Sequence, residues 1–316
     1  MVLKADDELR HPCSDLPEWR ESMWWCFDMP EYEMGGAIYY AYTPNTPKPS
    51  AKLIVYLTRG WSSERNRLVY SFEQELPIPA DEWDDLRFGT VAHFKRIEPL
   101  KRWQVSFHDG KRLDLDLDIE LFSPSWHWID NIHETPKFLA GDRYHRPYMA
   151  RGEMRLDGSR YPLTLTGDSD HSWGPRRWGP LYKSKYVAGQ CGRDWAMSFI
   201  EIAALDGSMR PYGFVWDGKR MSPISSVEIA ADYDEDGMHR AALLNIVDNE
   251  NRLTRVEGAC FACAPTDYDS VSNNDCYFSF EVNRGQHRGS GILSFFYERN
   301  YFRRVMRREH TDGTKP

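Results

Sequence analysis

Hydrophobic and polar residues alternate along most of this chain. The clearest run is KRLDLDLDIELF, residues 111–122. Leu113, Leu115, Leu117, Ile119 and Leu121 share one parity, and Asp114, Asp116, Asp118 and Glu120 share the other. Successive side chains of a strand point to opposite faces, so this is a half-buried antiparallel strand with one wet face. Its row of acids is a solvated face rather than a metal site. The same period predicts strands at 36–42, 52–58, 90–97, 102–107, 151–156, 161–166, 195–203, 212–216, 225–233, 239–247, 253–260, 277–282 and 291–297. Turn signals separate them: HDG at 108–110, LDG at 156–158 and 205–207, WDG at 216–218 and DEDG at 234–237. Helical periodicity is scarce and predicts only short helices near 14–23, 62–74 and 299–308.

About fourteen short strands are too many for one small barrel. They predict an all-β chain with two antiparallel β-barrel domains packed in tandem. The stretch 123–150 is polar, aromatic and poor in alternation, and the domain break is expected within it. The division is an N-terminal extension at 1–20, one domain at 21–135 and a second at 136–310. No low-complexity linker separates the halves, so they are expected to pack closely.

Composition narrows the function. The chain has 316 residues, a formal charge of −8 and a pI near 5.7. An acidic protein lacks the basic face that nucleic-acid binding requires. No apolar run approaches a membrane span, and MVLKADDELRHP has no secretory h-region. Six cysteines in so long a chain are not a disulfide scaffold, and CFAC (260–263) has no second ligand pair at zinc spacing. Reduced thiols and a cytoplasmic setting are expected; a homo-oligomer is compatible with all of this. GxGxxG, P-loop, GxSxG and HExxH motifs are absent, so the expected chemistry needs neither cofactor nor metal. Twelve Trp, 17 Tyr and 15 Phe suit strands, and they also suit the walls of an apolar cavity.

The densest chemistry lies at 167–179, GDSDHSWGPRRWG. If 168–173 is a short strand, Asp168, Asp170 and Ser172 face one way and Ser169, His171 and Trp173 the other. His171 and Trp173 then suit a cavity wall, with Asp170, Arg176 and Arg177 tying the loop down. The alternative is a stapled crossing between barrels held by Arg–Asp pairs. Trp126 and Trp128 in WHWIDNIHE (126–134) read as cavity lining or interdomain packing. In YHRPY (144–148), Tyr144, His145 and Tyr148 offer proton donors, or merely cover a sheet edge.

DHSWG resembles the D-H-x-W-G motif of the carotenoid 1,2-hydratase (hydroxyneurosporene synthase) and AttH-like superfamily. ESMWWCFDMPEYEMGGAIYYAYTPN (21–45), LRFG (86–89) and the HSWGPRRWG loop resemble an uncharacterised bacterial branch of it. The resemblance spans roughly residues 20–300. It implies two lipocalin-type barrels, with His171 and Trp173 lining a cavity. It also implies an acid on a following strand, where Phe199-x-Glu201 stands for Tyr-x-Asp. Protonating a C=C bond needs a carboxyl kept neutral by burial and a π-face for the cation. The expectation is therefore a cofactor-independent acid–base enzyme, a hydratase, isomerase, cyclase or lyase. Its substrate would be an apolar unsaturated molecule of terpenoid, steroid, polyene or aromatic type. His171 and Glu201 would carry protons, while Trp173, Trp195, Phe199, Trp126, Trp128 and Tyr148 would bind substrate. The alternative is a non-catalytic lipocalin-like carrier of a hydrophobic small molecule.

Overall fold

Strand forms almost everywhere the alternation runs. The structure is a computed structural model that describes residues 3–61, 68–79, 83–177, 181–203, 207–268 and 271–301. A 3-10 turn at Ala5–Glu8 comes first. The strands of the N-terminal half are β1 (Trp19–Met29), β2 (Met34–Thr43), β3 (Ser50–Arg59), β4 (Tyr70–Leu76), β5 (Asp85–Phe88), β6 (Ala92–Glu98), β7 (Arg102–His108), β8 (Leu113–Leu121), β9 (Trp126–His127), β10 (Asp142–Leu156) and β11 (Ser159–Pro175). Those of the C-terminal half are β12 (Lys183–Cys191), β13 (Trp195–Ala203), β14 (Met209–Trp216), β15 (Met221–Tyr233), β16 (His239–Asp248), β17 (Leu253–Tyr268), β18 (Val271–Val282) and β19 (His287–Glu298).

Two sheets result. The first runs β4-β3-β2-β1-β11-β10-β8-β7-β6-β5, with β9 added to β10; it is barrel-shaped and nearly closed. The second, β12 to β19 in sequence order, closes on itself. This is the tandem, lipocalin-like, all-β architecture that the alternation and the motif imply. In β8 the leucines are buried and the acids lie at the surface or partly covered, as the period of two requires.

Three sequence expectations are corrected. Residues 142–175 belong to the first sheet rather than the second, because β10 pairs with β8 and β11 pairs with β1. The sheets part between residues 175 and 183, well after 135. The motif strand and its neighbours are buried on both faces, so they lack the alternation of a half-wet strand. Residues 19–23 of the expected helix 14–23 are strand, for the same reason. Of the expected helix 62–74, residues 62–67 lie outside the described residues and 70–74 are strand β4. A single helical turn, Arg299–Tyr301, marks the third expected helix, whose remainder lies outside the described residues.

Each sheet has its own apolar core. Met23, Trp25, Phe94, Trp103 and Tyr148 lie in the first, and Val187, Phe199, Leu244, Phe278 and Phe295 in the second. Between them lies a mixed interface. Its apolar part includes Trp126, Trp128, Tyr186, Tyr212 and Ile292. Its polar part centres on three buried aspartates. Asp168 accepts from Tyr186 Oη at 2.7 Å and Ser198 Oγ at 2.9 Å, both from the second barrel. Asp275 accepts from Tyr56 Oη at 2.8 Å. Asp28 accepts from Ser290 Oγ. Packing is equally close at Gly35, where a Cβ would lie 2.2 Å from the Tyr277 ring.

Burial lifts the Asp28 carboxyl to about 7, against a partial offset from Ser290. A carboxyl raised in the folded state stabilises fully below its unfolded value of 3.8, and that contribution is lost as pH rises through 7. Asp28→Asn keeps the shape without the ionisation. The variant should gain on the order of 1–4 kcal/mol over the parent at pH 8 and nothing at pH 4, by urea unfolding. Equal stabilities at pH 8 would show that Asp28 ionises freely.

Candidate active site

β11 lies between β1 and β10 and presents the motif to both sides. His171 pairs in register with Met23 of β1 and Tyr144 of β10, and Trp173 with Glu21 and Asp142. Gly174, at φ +101°, turns the strand end past Gly141; a Cβ there would meet the Gly141 backbone at 2.7 Å. The even-numbered acids face the second barrel, and His171 faces the interior of the first sheet. There its ring stacks on Trp83 at 5.0 Å and meets Trp173 edge-on at 5.3 Å.

His171 is fully buried and hydrogen-bonded at both ring nitrogens. Nε2 lies 2.9 Å from Glu21 Oε1, and Nδ1 lies 2.9 Å from Tyr144 Oη. Burial would push the Glu21 carboxyl up, but the hydrogen bonds from His11 and His171, with their charges, outweigh it and hold the carboxyl below its ordinary value. Glu21 is therefore an anion that only accepts. His171 is itself held below its ordinary value, chiefly by burial, with Glu21 opposing. The neutral ring then donates from Nε2 to Glu21 and accepts at Nδ1 from the phenol. Burial keeps Tyr144 protonated by raising its pKa.

The second partner of Glu21 is His11. Its Nδ1 lies 2.7 Å from Glu21 Oε1, and its backbone N–H reaches Oε1 and Oε2 at 3.0 and 3.1 Å. The His11 ring stacks on Trp173, with centroids 3.6 Å apart and planes 6° from parallel. Since Nδ1 donates to the carboxylate, Nε2 is left as the basic nitrogen. That is the orientation a buried acid imposes on a working imidazole. The group forms one hydrogen-bonded line, Tyr144–His171–Glu21–His11, running from the buried interior to a partly exposed ring.

The segment that carries His11 is held by a buried ion pair. Glu8 and Arg146, both fully buried, pair directly. Glu8 also accepts from Leu100 N at 2.8 Å and from Trp103 Nε1 at 3.2 Å. The Arg146 guanidinium lies over Trp25, Trp103 and Tyr144 at 5.0–5.7 Å. Residues expected to be an extension thus complete the site. Their sequence shows no periodicity; the available signal was a cluster of acids and a histidine ahead of an apolar strand.

The expected site residues separate. His171 and Trp173 meet. Glu201 does not join them: it lies on the face of β13 that carries Trp195 and Phe199 into the core of the second barrel. It pairs in register with Lys185 on β12. The two residues share only a sequence neighbourhood, because β11 and β13 belong to different sheets. Trp126 and Trp128 pack between the sheets, and Tyr148 packs in the first core with its hydroxyl on the Cys26 carbonyl at 2.9 Å. Asp170 pairs with Arg143. Arg176 bonds the Leu139 carbonyl at 2.6 Å and Ser172 Oγ at 3.2 Å, and Arg177 pairs with Glu18 at 3.2 Å. Among the described residues, His11, Glu21 and His171 are the group whose potential metal-ligand atoms converge, all within 4.8 Å. Both ring nitrogens already donate to one carboxylate oxygen, so hydrogen bonding alone accounts for the convergence.

This arrangement sits on a tandem-barrel fold that solved structures share. A protein of Nitrosomonas europaea assigned provisionally as AttH has a TM-score of 0.64 at 14% identity, over 93% of this chain and 96% of its own. CghA has a TM-score of 0.57 at 13% identity, over 89% and 88%. Kievitone hydratase of Nectria haematococca has one of 0.56 at 10%, over 88% of each chain. At such identities the likeness is one of fold. Residues 4–298 match the model of a family described as a domain of unknown function, DUF7064, and the chain belongs to that family. No curated protein sequence matches it. Among the described residues, no helix is long and apolar enough to cross a membrane.

Glu21 and His171 carry the same sign in stability. Both folded pKa values lie below the unfolded ones of 4.5 and 6.5, so the unfolded chain binds more protons. Their contributions are present above those unfolded values and are lost as pH falls through the folded ones. Glu21→Gln should remove the Glu21 part of that acid-side slope, leaving the His171 part, and cost about 1–3 kcal/mol at pH 7. It should also speed amide exchange at His11. An unchanged His11 exchange rate would mean that Glu21 does not hold the segment.

Proposed function

We propose that the chain is a cofactor-independent acid–base enzyme acting on an apolar unsaturated small molecule, with His11 as the group that exchanges the proton. The carrying observation is the carboxylate–imidazole pair. Glu21 fixes the His11 tautomer by accepting from Nδ1, so Nε2 faces outward and can take a proton from an activated carbon or give one to an alkene. His171 and Tyr144 back the carboxylate and hold it in place. Trp173 supplies the flat wall against which the imidazole is set. The name of kievitone hydratase, a fold neighbour, supports water addition as one member of the class. Isomerisation, cyclisation and lyase cleavage use the same proton exchange. The family resemblance had pointed to Glu201 as the acid; this reading moves the role to the Glu21–His11 pair. A cytoplasmic setting goes with the reading but does not bear on it.

The test separates enzyme from carrier. Apolar extract of the host is incubated with the protein in D2O, and products are read by mass spectrometry. The parent should place deuterium on carbon in one compound class. His11→Gln should lower the rate by on the order of 10²–10⁴, the usual range for a positioned acid or base, while remaining folded. Recovery of a bound compound without deuterium would support the carrier instead.

A further inference from the structure

The pair in CFAC (260–263) has companions that the sequence does not show. Across β17 and β18, Cys263 stands opposite Cys276 in register. The Cys263 backbone N–H turns away from β18 to the Gly60 carbonyl at 3.2 Å, and its carbonyl accepts from Thr58 Oγ1 at 2.6 Å. The pair is therefore a non-hydrogen-bonded one, where facing Cα atoms come closest, about 4.5 Å apart. Cys260 joins the same face through a bulge. The register slips between Cys260, opposite Phe278, and Ala262, opposite Tyr277. Without that slip, residues three apart on one strand would face opposite ways. The Cys276 thiol interacts with both of the others.

These side chains form a small cluster apart from the barrel cores and the interface. Its buried members, Met238, Cys263 and Cys276, all carry sulfur, and Cys260 and Trp61 pack against them. Three of the six cysteines of the chain meet here, none of them in a disulfide. The backbone is pinned on both sides. Met238 N–H donates to Asp234 Oδ1 at 2.8 Å, and its carbonyl accepts from Asp234 N–H at 2.9 Å. The contacts of Thr58 and Gly60 with Cys263 fix the end of β3 and so deliver Trp61. Met238, Cys263 and Cys276 are 0–1% exposed, whereas Cys260 and Trp61 are only partly covered. One buried cysteine is an ordinary small hydrophobe. Three thiols and a thioether gathered on one face by a bulge and two pinned turns are a ligand set.

We propose that Cys263, Cys276 and Met238 bind one soft monovalent cation, Cu(I), and that Cys260 is the partly exposed thiol through which it enters. Thiolate and thioether sulfur select Cu(I) over harder ions. A structural zinc site needs four thiolate, imidazole or carboxylate ligands, more than this face supplies. Cu(I) needs only two facing thiolates and a weaker third sulfur. Cys263 and Cys276 each give up a proton as they bind, and the ion takes the space between the two sulfurs, so no larger cavity is required. Two thiolates on one monovalent ion leave a single negative charge. The Arg240 guanidinium, 4.9 Å over the Trp61 ring, sets a positive charge at the rim of the cluster. The site takes no part in proton exchange at His11, and the inference stands whether or not that group is catalytic.

The test supplies Cu(I) as its bicinchoninate complex, without oxygen, to a full chain carrying Cys13→Ser, which removes the exposed thiol as a rival. That chain should withdraw one equivalent of copper from the complex. On the same background, Cys263→Ala and Cys276→Ala should each weaken binding by about a hundredfold. Met238→Leu keeps the core volume and should weaken it by about tenfold. Cys191→Ala, in the barrel core, should change nothing. Circular dichroism establishes which variants fold. Should the two alanine variants fail to fold, Met238→Leu and copper X-ray absorption on the Cys13→Ser chain decide, the latter showing sulfur neighbours alone. No withdrawal of copper, equal affinity across the folded Cys263, Cys276 and Met238 variants, loss in Cys191→Ala, or nitrogen or oxygen neighbours on the copper would each overturn the proposal.

Discussion

The candidate site depends on one buried ion pair, Glu8 with Arg146. Neither residue is solvent-exposed, and three aromatic faces surround the guanidinium. Such a pair adds little net stability against an apolar replacement, yet breaking it strands an uncompensated charge at a cost of about 3–5 kcal/mol. Its value here is positional. It fixes the turn Ala5–Glu8 against the first sheet, and three residues later His11 lands on Glu21 and Trp173. Without it, the site would have a carboxylate and a buried imidazole but no group able to meet a substrate.

The two halves solve the problem of polar groups in a β core differently. In the first, every buried charge near the site has a counter-charge or a donor: Glu8 with Arg146, Glu21 with two histidines, Asp170 with Arg143. The aspartates between the sheets follow the same rule with hydroxyl donors. In the closed barrel Lys185 stands opposite Glu201 in register on adjacent strands, and His239 has one ring nitrogen on the Leu293 carbonyl and the other without a partner.

Much of this was legible in the sequence. Alternation read the strand of Leu113–Leu121 correctly down to its wet face, and period two set His171 beside Trp173 before any coordinates. The resemblance set Glu201 in one site with His171 and Trp173, whereas Glu201 lies on the face of β13 that carries Trp195 and Phe199. Alternation could not say that β11 and β13 belong to different barrels, because parity is local and strand partners are not. Strands buried on both faces, such as Trp19–Met29 and Lys183–Cys191, escaped because they have no wet parity to reveal them. His11 escaped for a different reason. Its position follows from a long-range ion pair and not from any periodic pattern, and an aperiodic charged segment reads as a tail.

The pairing of β1 with β11 has a kinetic consequence. The second barrel is built from consecutive hairpins and needs one long-range closure, β12 with β19. The first sheet instead joins strands about 150 residues apart, Met23 beside His171. During synthesis β1 must remain unpaired on one edge until the motif strand emerges, with Trp24 and Trp25 uncovered in the meantime. Non-local strand pairing of this kind is slow and leaves nascent chains prone to association. The site is therefore among the last parts of its sheet that can form. A chain truncated before residue 175 would present an apolar, open-edged sheet and place heavy demands on chaperones.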